Sequence, residues 1–192
     1  MNNPAFEQWL SRCEERLSHG VIYGAVVSPS LSTIEDAVTG VISVANKDSR
    51  LIVCDCPIDE SMLGETYFAQ AYFTRVIDVL ATTLGREVPS LPPVSSAFLR
   101  LKIITKMLFS SVGVRCLLVC RGFDRCLAAS DANALDDLCG NLVSIVDYAD
   151  DMQLSYLLCS ALPIQEVERH KHERSPSSVF SRVRDLTLEE KS

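Results

Sequence analysis

Three short apolar runs, at residues 51–54, 114–120 and 154–160, recur along the chain with long helix-patterned segments between them. Runs of this length, bounded by polar or turn residues and without two-residue alternation, read as strands buried on both faces. Parallel strands cannot be joined by a tight hairpin, so each pair needs a crossover, and the intervening lengths suit helices. The pattern therefore predicts an α/β fold: a parallel sheet flanked by helices on both faces.

The helices carry their own signals. Asn3 followed by Pro4 opens the first one, with Phe6, Trp9, Leu10, Cys13 and Leu17 at helical spacing up to Gly20. A capping box at Ser32, Thr33, Ile34 and Glu35 predicts a second helix ending near Asn46. Further helices are expected at about 65–84, stopped by Gly85, at about 95–110, and at 131–148. Residues 86–94 are too proline-rich for a central strand and read as a loop with at most a short edge strand. The charged stretch 165–178 reads as a short helix running into a loop, and 183–188 as a last β-like run. Residues 1–20 thus form an N-terminal amphipathic helix and 21–192 the α/β domain, one compact unit overall.

Composition narrows the function classes. Of 192 residues, 47% are hydrophobic and 22% charged, which suits a chain with a substantial core. No segment approaches the roughly 18 consecutive apolar residues of a membrane span, so a soluble, non-secreted protein is expected, with no membrane partner. The eight cysteines fall mostly inside apolar runs and predict buried thiols in a reducing compartment. Neither Cys54-x-Cys56, Cys116-x3-Cys120 nor His170-x-His172 has a partner pair at zinc-ligand spacing, and no metal site is expected. Calcium-loop spacing is likewise absent around Asp147, Asp150 and Asp151. The net charge of −7 disfavours autonomous DNA binding, which requires Lys and Arg placed against phosphates.

In doubly wound sheets ligands sit at the carboxyl ends of the strands, so the segment after strand 51–54 is the expected phosphate position. A phosphate-binding loop reads G-x4-G-K-[ST], with glycines for close backbone approach, a lysine for the terminal phosphates and a hydroxyl for magnesium. The window here runs from Asp59 to Thr66: Gly64 and Thr66 match, while Asp59 replaces the first glycine and Glu65 the lysine. Each added carboxylate repels a phosphate charge by roughly 4 kcal/mol at contact if the effective dielectric is near 20. After the strand at 114–120, where acids would hold magnesium, the chain has Arg121 and Gly122. ATP and magnesium binding are expected to be weak or absent, and no catalytic residue is expected.

These segments resemble a family. RLIVCDCPIDESMLGETYFAQAYFTRVI (50–77) is similar to the Walker A unit of an AAA+ ATPase, and RCLLVCRGFDRCL (115–127) to its Walker B segment. Residues 132–166 resemble the helix and sensor-1 strand of initiator ATPases, and VFSRVRDLTLEE (179–190) the segment around their Ser-Arg and last strand. The stretch from Tyr23 and Gly24 to Asn46 sits where those proteins carry a helix introduced by G-x-x-x-E. The group is that of the origin recognition complex and Cdc6, nearest in character to that complex's fourth subunit. A similar layout occurs in transposon target-selection AAA+ proteins, and an α/β interaction scaffold without a nucleotide role is a further alternative.

The resemblance implies strand order 5-1-4-3-2 with the second strand short or lost, and a chain without the helical lid and winged-helix domain. It implies assembly with other AAA+ initiator subunits in a hetero-oligomer, contact with DNA only through that complex, and a nuclear location; without it a cytoplasmic one is expected. Two residues take family roles on this basis. Ser160 stands at the sensor-1 position, although a serine at a strand end also forms turns. Arg182 stands where an arginine finger would reach a neighbour's γ-phosphate, although a solvated surface arginine is the more common fate.

Overall fold

A computed structural model describes residues 4–85, 96–149, 153–171 and 178–190. The expectations for 86–94, for Asp150 and Asp151, and for most of the charged stretch after Lys171 lie outside these residues.

Five parallel strands form the sheet: β1 Tyr23–Val27, β2 Leu51–Asp55, β3 Arg115–Arg121, β4 Leu154–Ser160 and β5 Thr187–Glu189. Their order is β2-β3-β4-β1-β5, which read from the other edge is 5-1-4-3-2 as expected. β4 is buried at all seven positions because it lies between β3 and β1 with helices on both faces. Every residue of such a strand must be apolar or internally satisfied, hence its unbroken run of Leu, Tyr, Cys and Ser.

On one face lie α1 Pro4–His19 and α2 Leu31–Ala45, packed over Val26, Leu117, Val119, Leu157 and Cys159. On the other lie α4 Phe68–Leu84, α5 Ala97–Val112 and α6 Ala134–Asp147, closing a larger core around Phe68, Tyr72, Phe73 and Phe123. A short helix, α3 Glu60–Leu63, precedes α4. Gly85 and Gly113 end α4 and α5 in the left-handed conformation, at φ 62° and 68°.

α1 is bound to the far end of the chain. Its Trp9, Cys13 and Leu17 are buried, and Trp9 Nε1 donates to the Leu186 carbonyl at 3.0 Å. Burying each large apolar side chain contributes about 1.5–3 kcal/mol relative to exposure, so three of them dock a helix that would not persist alone. Arg115 donates to the Leu17 carbonyl at 2.9 Å and ion-pairs with Asp48 at 2.7 Å, fastening the other end of α1.

Three expectations need correction. The first strand is Tyr23–Val27, a strand the sequence reading does not predict, at the start of the stretch that the resemblance assigns to an entry helix. The run at 51–54 is therefore the second strand, five residues long, and it stands at the sheet edge. The second helix begins at Leu31 with Ser30 as its cap, two residues before the predicted box, because Ser30 Oγ accepts from the Thr33 amide. Likewise 183–188 is largely helical, with Val179–Val183 and a 3₁₀ turn preceding the three-residue β5. All eight cysteines are buried, as the apolar runs predict.

Candidate functional site

With β1 between β4 and β5, the switch in strand order falls at the carboxyl ends of β1 and β4, the place where open α/β sheets bind ligands. The loop there is not 59–66 but the turn between β1 and α2, made of Ser28, Pro29 and Ser30. A phosphate loop places six residues between its first glycine and its lysine's predecessor, inclusive, and needs N–H groups left open for the ligand. Three residues span the gap here, and neither glycine nor lysine occurs from Val27 to Thr39.

The turn is closed on itself. Ser28 is fully buried; its amide donates to the Ser160 carbonyl at 3.1 Å, and its hydroxyl donates to Glu190. The Ser28 hydroxyl in turn accepts from the Ser30 amide at 2.9 Å. At the start of α2 the Thr33 amide is taken by Ser30 Oγ at 3.5 Å, and the Ile34 amide by the Ser30 carbonyl at 3.3 Å. The Ser30 and Thr33 amides are among those a helix N-terminus would otherwise turn to a phosphate, whereas the Ile34 amide makes the ordinary first bond of the helix.

Beside this turn, Arg121 at the end of β3 reaches across to its neighbours. Its Nε and Nη2 donate to the two Asp55 oxygens at 2.8 and 2.6 Å, and its Nη1 donates to Glu35 on α2. The parallel register that pairs Asp55 with Val119 sets β2 and β3 so that the guanidinium meets the carboxylate edge-on. Hydrogen bonding to Asp55 holds Arg121 above the ordinary guanidinium range, with Glu35 adding to it, so the group is a permanent cation already neutralised by two carboxylates. Asp124, in the 3₁₀ turn Phe123–Ala128, accepts from the Ala161 amide at 2.9 Å and ties the β3 and β4 loops together.

The remaining predicted residues separate into three places. Asp59 caps α3: it accepts from Ser61 N at 3.0 Å, Ser61 Oγ at 2.5 Å and Met62 N at 3.2 Å, and the Ser61 hydroxyl holds its carboxyl below the usual range. Gly64, Glu65 and Thr66 are exposed on the connection after the edge strand, away from the switch point. Gly64 has φ −84° and open space where a Cβ would stand, so no close backbone approach requires glycine there. Gly122 is different: at φ 72°, a Cβ would stand 2.9 Å from Arg125 Cδ.

Ser160 does lie at the switch point, but its hydroxyl is spent locally, donating to the Leu162 carbonyl at 2.5 Å and accepting from the Leu162 amide at 3.2 Å. Arg182 lies on the helix that feeds β5 and pairs with Asp147 at 3.0 Å. Asp147 ends α6 ahead of β4, so this pair belongs to the end of the sheet opposite Arg121. Around the turn stand Ser28, Ser30, Glu35, Asp55 and Glu190, none of which the sequence marks as a site residue, Glu35 entering there only through the capping box. Their one sequence signal is the apolar run 21–27 ending in Ser-Pro-Ser, a buried strand followed by a turn.

A parallel sheet in the order 5-1-4-3-2, with helices on both faces, is the plan of an AAA+ core subdomain. Solved structures share it: the Aeropyrum pernix ORC2 protein in its ADPNP–ADP complexes is similar with a TM-score of 0.60 and 14% identity, over 96% of this chain and 46% of that one. The Drosophila ORC bound to DNA is similar with a TM-score of 0.56 and 15% identity, over 96% of this chain and 29% of that one. For Drosophila ORC bound to poly(dA/dT) DNA and Cdc6 the values are 0.54, 15%, 96% and 27%. The chain thus has the fold of ORC/Cdc6-type AAA+ proteins and spans under half the length of these relatives. No protein-family model matches the sequence, and no curated protein matches it. Among the described residues, no helix is long and apolar enough to cross a membrane.

Proposed function

We propose that this chain is a non-hydrolysing AAA+-type subunit of a replication-initiator assembly, related in role to the fourth subunit of the origin recognition complex, and that it acts by contact instead of ATP turnover. The observation that carries the reading is the self-capped three-residue turn at Ser28, Pro29 and Ser30, where a phosphate loop would have to open. The acids that hold magnesium in AAA+ relatives have no counterpart beside it: Asp55 and Glu35 are already engaged by Arg121. The fold shared with ORC proteins, some of them solved on DNA, supports the initiator setting. In this reading the partners are other AAA+ subunits, DNA is met through the complex, and the location is nuclear.

Arg182 fits a role in trans. It stands at the end of the sheet away from its own crevice, so any phosphate it meets belongs to a neighbour, and its exposed pairing with Asp147 is weak enough to exchange. The test is direct. Titration of the purified chain with a fluorescent ATP analogue and magnesium should give no saturable binding, and ATP should not turn over. Saturable affinity like that of an intact phosphate loop, or measurable hydrolysis, overturns the proposal.

A further inference from the structure

The sheet has an open edge at β5, and a cleft lies beside it. β5 stands last in the order and pairs with β1, Ala25 opposite Thr187 and Val27 opposite Glu189. In a parallel ladder alternate residues of a strand address alternate neighbours, and the Glu190 amide reaches the Val27 carbonyl at 3.0 Å. Glu190 and Leu188 therefore serve β1, while Thr187 and Glu189 turn their amides and carbonyls outward, where no other described strand stands.

The cleft between β5, α1 and α2 has a volume of about 440 Å³, with Phe6 and Leu188 as apolar walls. Gly40 lets α1 lie close against α2 there: a Cβ would stand 3.2 Å from Leu10 and 3.4 Å from Phe6. The charged residues lining the cleft are all acidic: Glu7, Asp36, Glu189 and Glu190. Glu190 accepts from the Ser28 hydroxyl, but Glu7, Asp36 and Glu189 have no ion-pair partner among the described residues.

We propose that β5 and this cleft form a peptide-binding groove. An extended segment of a partner protein adds to the free edge of β5, sets one large apolar side chain between Phe6 and Leu188, and places Lys or Arg against the acidic rim. Successive side chains of a strand face opposite ways, so the apolar residue and its basic neighbours stand two apart, in the pattern basic-x-apolar-x-basic. Main-chain bonds to Thr187 and Glu189 supply affinity, and the cleft with its carboxylates selects among segments. Nucleic acid and anionic lipid meet the wrong sign of charge here. The groove stands apart from the proposed function, since ATP binding would overturn that reading and leave this edge as it is.

Fluorescence polarisation with the full chain and labelled heptapeptides tests the groove. Thr-Arg-Thr-Phe-Thr-Arg-Thr should bind saturably with a Kd at or below about 1 mM, and more weakly as salt is added. Thr-Thr-Arg-Phe-Arg-Thr-Thr has the same composition with its arginines on the opposite face, and should bind about tenfold more weakly. Asp36→Lys and Glu7→Lys should each reduce affinity for the first peptide by about tenfold, with circular dichroism establishing that both variants are folded. Methylating the Phe amide nitrogen or that of the next Thr should give opposite results, because alternate amides face β5: about tenfold loss in one peptide and little change in the other. Absence of saturable binding overturns the proposal. Equal binding of the two arginine arrangements, equal loss on both methylations, or full displacement by spermine at matched charge also overturns it, since each would mean charge attraction without strand addition.

Discussion

Replacing Arg121 with methionine separates the two obstacles to a nucleotide at the carboxyl ends of the strands. Methionine keeps most of the apolar stem and removes three charge-assisted hydrogen bonds, two to Asp55 and one to Glu35. Bonds to charged groups contribute about 1.5–3 kcal/mol when buried, and exposed ion pairs about 0.2–1 kcal/mol. The Arg121 side chain is 22% exposed, Asp55 34% and Glu35 60%, so the Asp55 pair falls between those limits and the Glu35 pair near the lower one. The expected loss is about 2 kcal/mol, or about 4–8 °C in Tm for a chain of this size. Urea denaturation monitored by circular dichroism reads it, and a cycle with Asp55→Asn should return a coupling of about 1 kcal/mol. The same variant should still fail to bind ATP, because the short turn at Ser28 to Ser30 remains. A loss below about 0.5 kcal/mol would show these ions to be solvated. ATP binding by Arg121→Met would show that the guanidinium, and not the turn, closes the site.

Two glycines invite opposite results. Gly122→Ala should cost about 1–2 kcal/mol, from its φ of 72° and the 2.9 Å approach of Arg125, whereas Gly64→Ala should be neutral or stabilise by about 0.4–1 kcal/mol; chemical denaturation of both variants decides, and a costly Gly64→Ala would refute the placement of that loop outside the site. The thiols predict alkaline sensitivity: burial raises Cys13, Cys56, Cys116, Cys126 and Cys159 from an ordinary value of 9.0 to about 12. With folded values raised, the stabilisation is complete below pH 9.0 and is lost as pH climbs toward 12, at roughly 1.4 kcal/mol per pH unit for each thiol. Stability measured against pH should therefore fall steeply above 9.0 and less steeply in Cys116→Ala; a flat profile to pH 11 would contradict it.

The sheet was legible where burial leaves no choice of residue. The run at 154–160 coincides with β4 because a central strand has no solvent face, and 114–120 is displaced by one residue from β3 for the same reason. The miss at β1 has a physical cause in Gly24. A Cβ there would stand 3.1 Å from the Leu186 carbonyl and 3.4 Å from Leu157, so close packing in mid-strand demands glycine, which reads from sequence as a breaker. Losing that strand moves every later strand one place forward and carries the expected phosphate loop from Ser28 to Asp59. The cluster of Arg121, Asp55 and Glu35 joins residues 66 and 86 positions apart, a proximity set by strand register and not by any local spacing.

Arg121 at the end of β3 does carry meaning in either numbering, and so does the acidity around it. Asp59, Glu60, Glu65, Asp131 and Glu190 lie on segments that follow the carboxyl ends of β2, β3 and β5, and Glu189 ends β5; of the guanidiniums beside them, Arg121 is neutralised by its own partners and Arg125 donates to the Ile58 carbonyl. A polyphosphate approaching this end meets net negative charge within a Debye length of about 8 Å, before it reaches any backbone amide. At contact it would find the Ser30 amide taken by Ser28 Oγ and the Thr33 amide by Ser30 Oγ. In the proposed reading the self-capped turn and the surrounding acids each disfavour a nucleotide, and reversing one leaves the other in force. The fold tolerates change at that turn because most of its stability rests on the two cores beside the sheet.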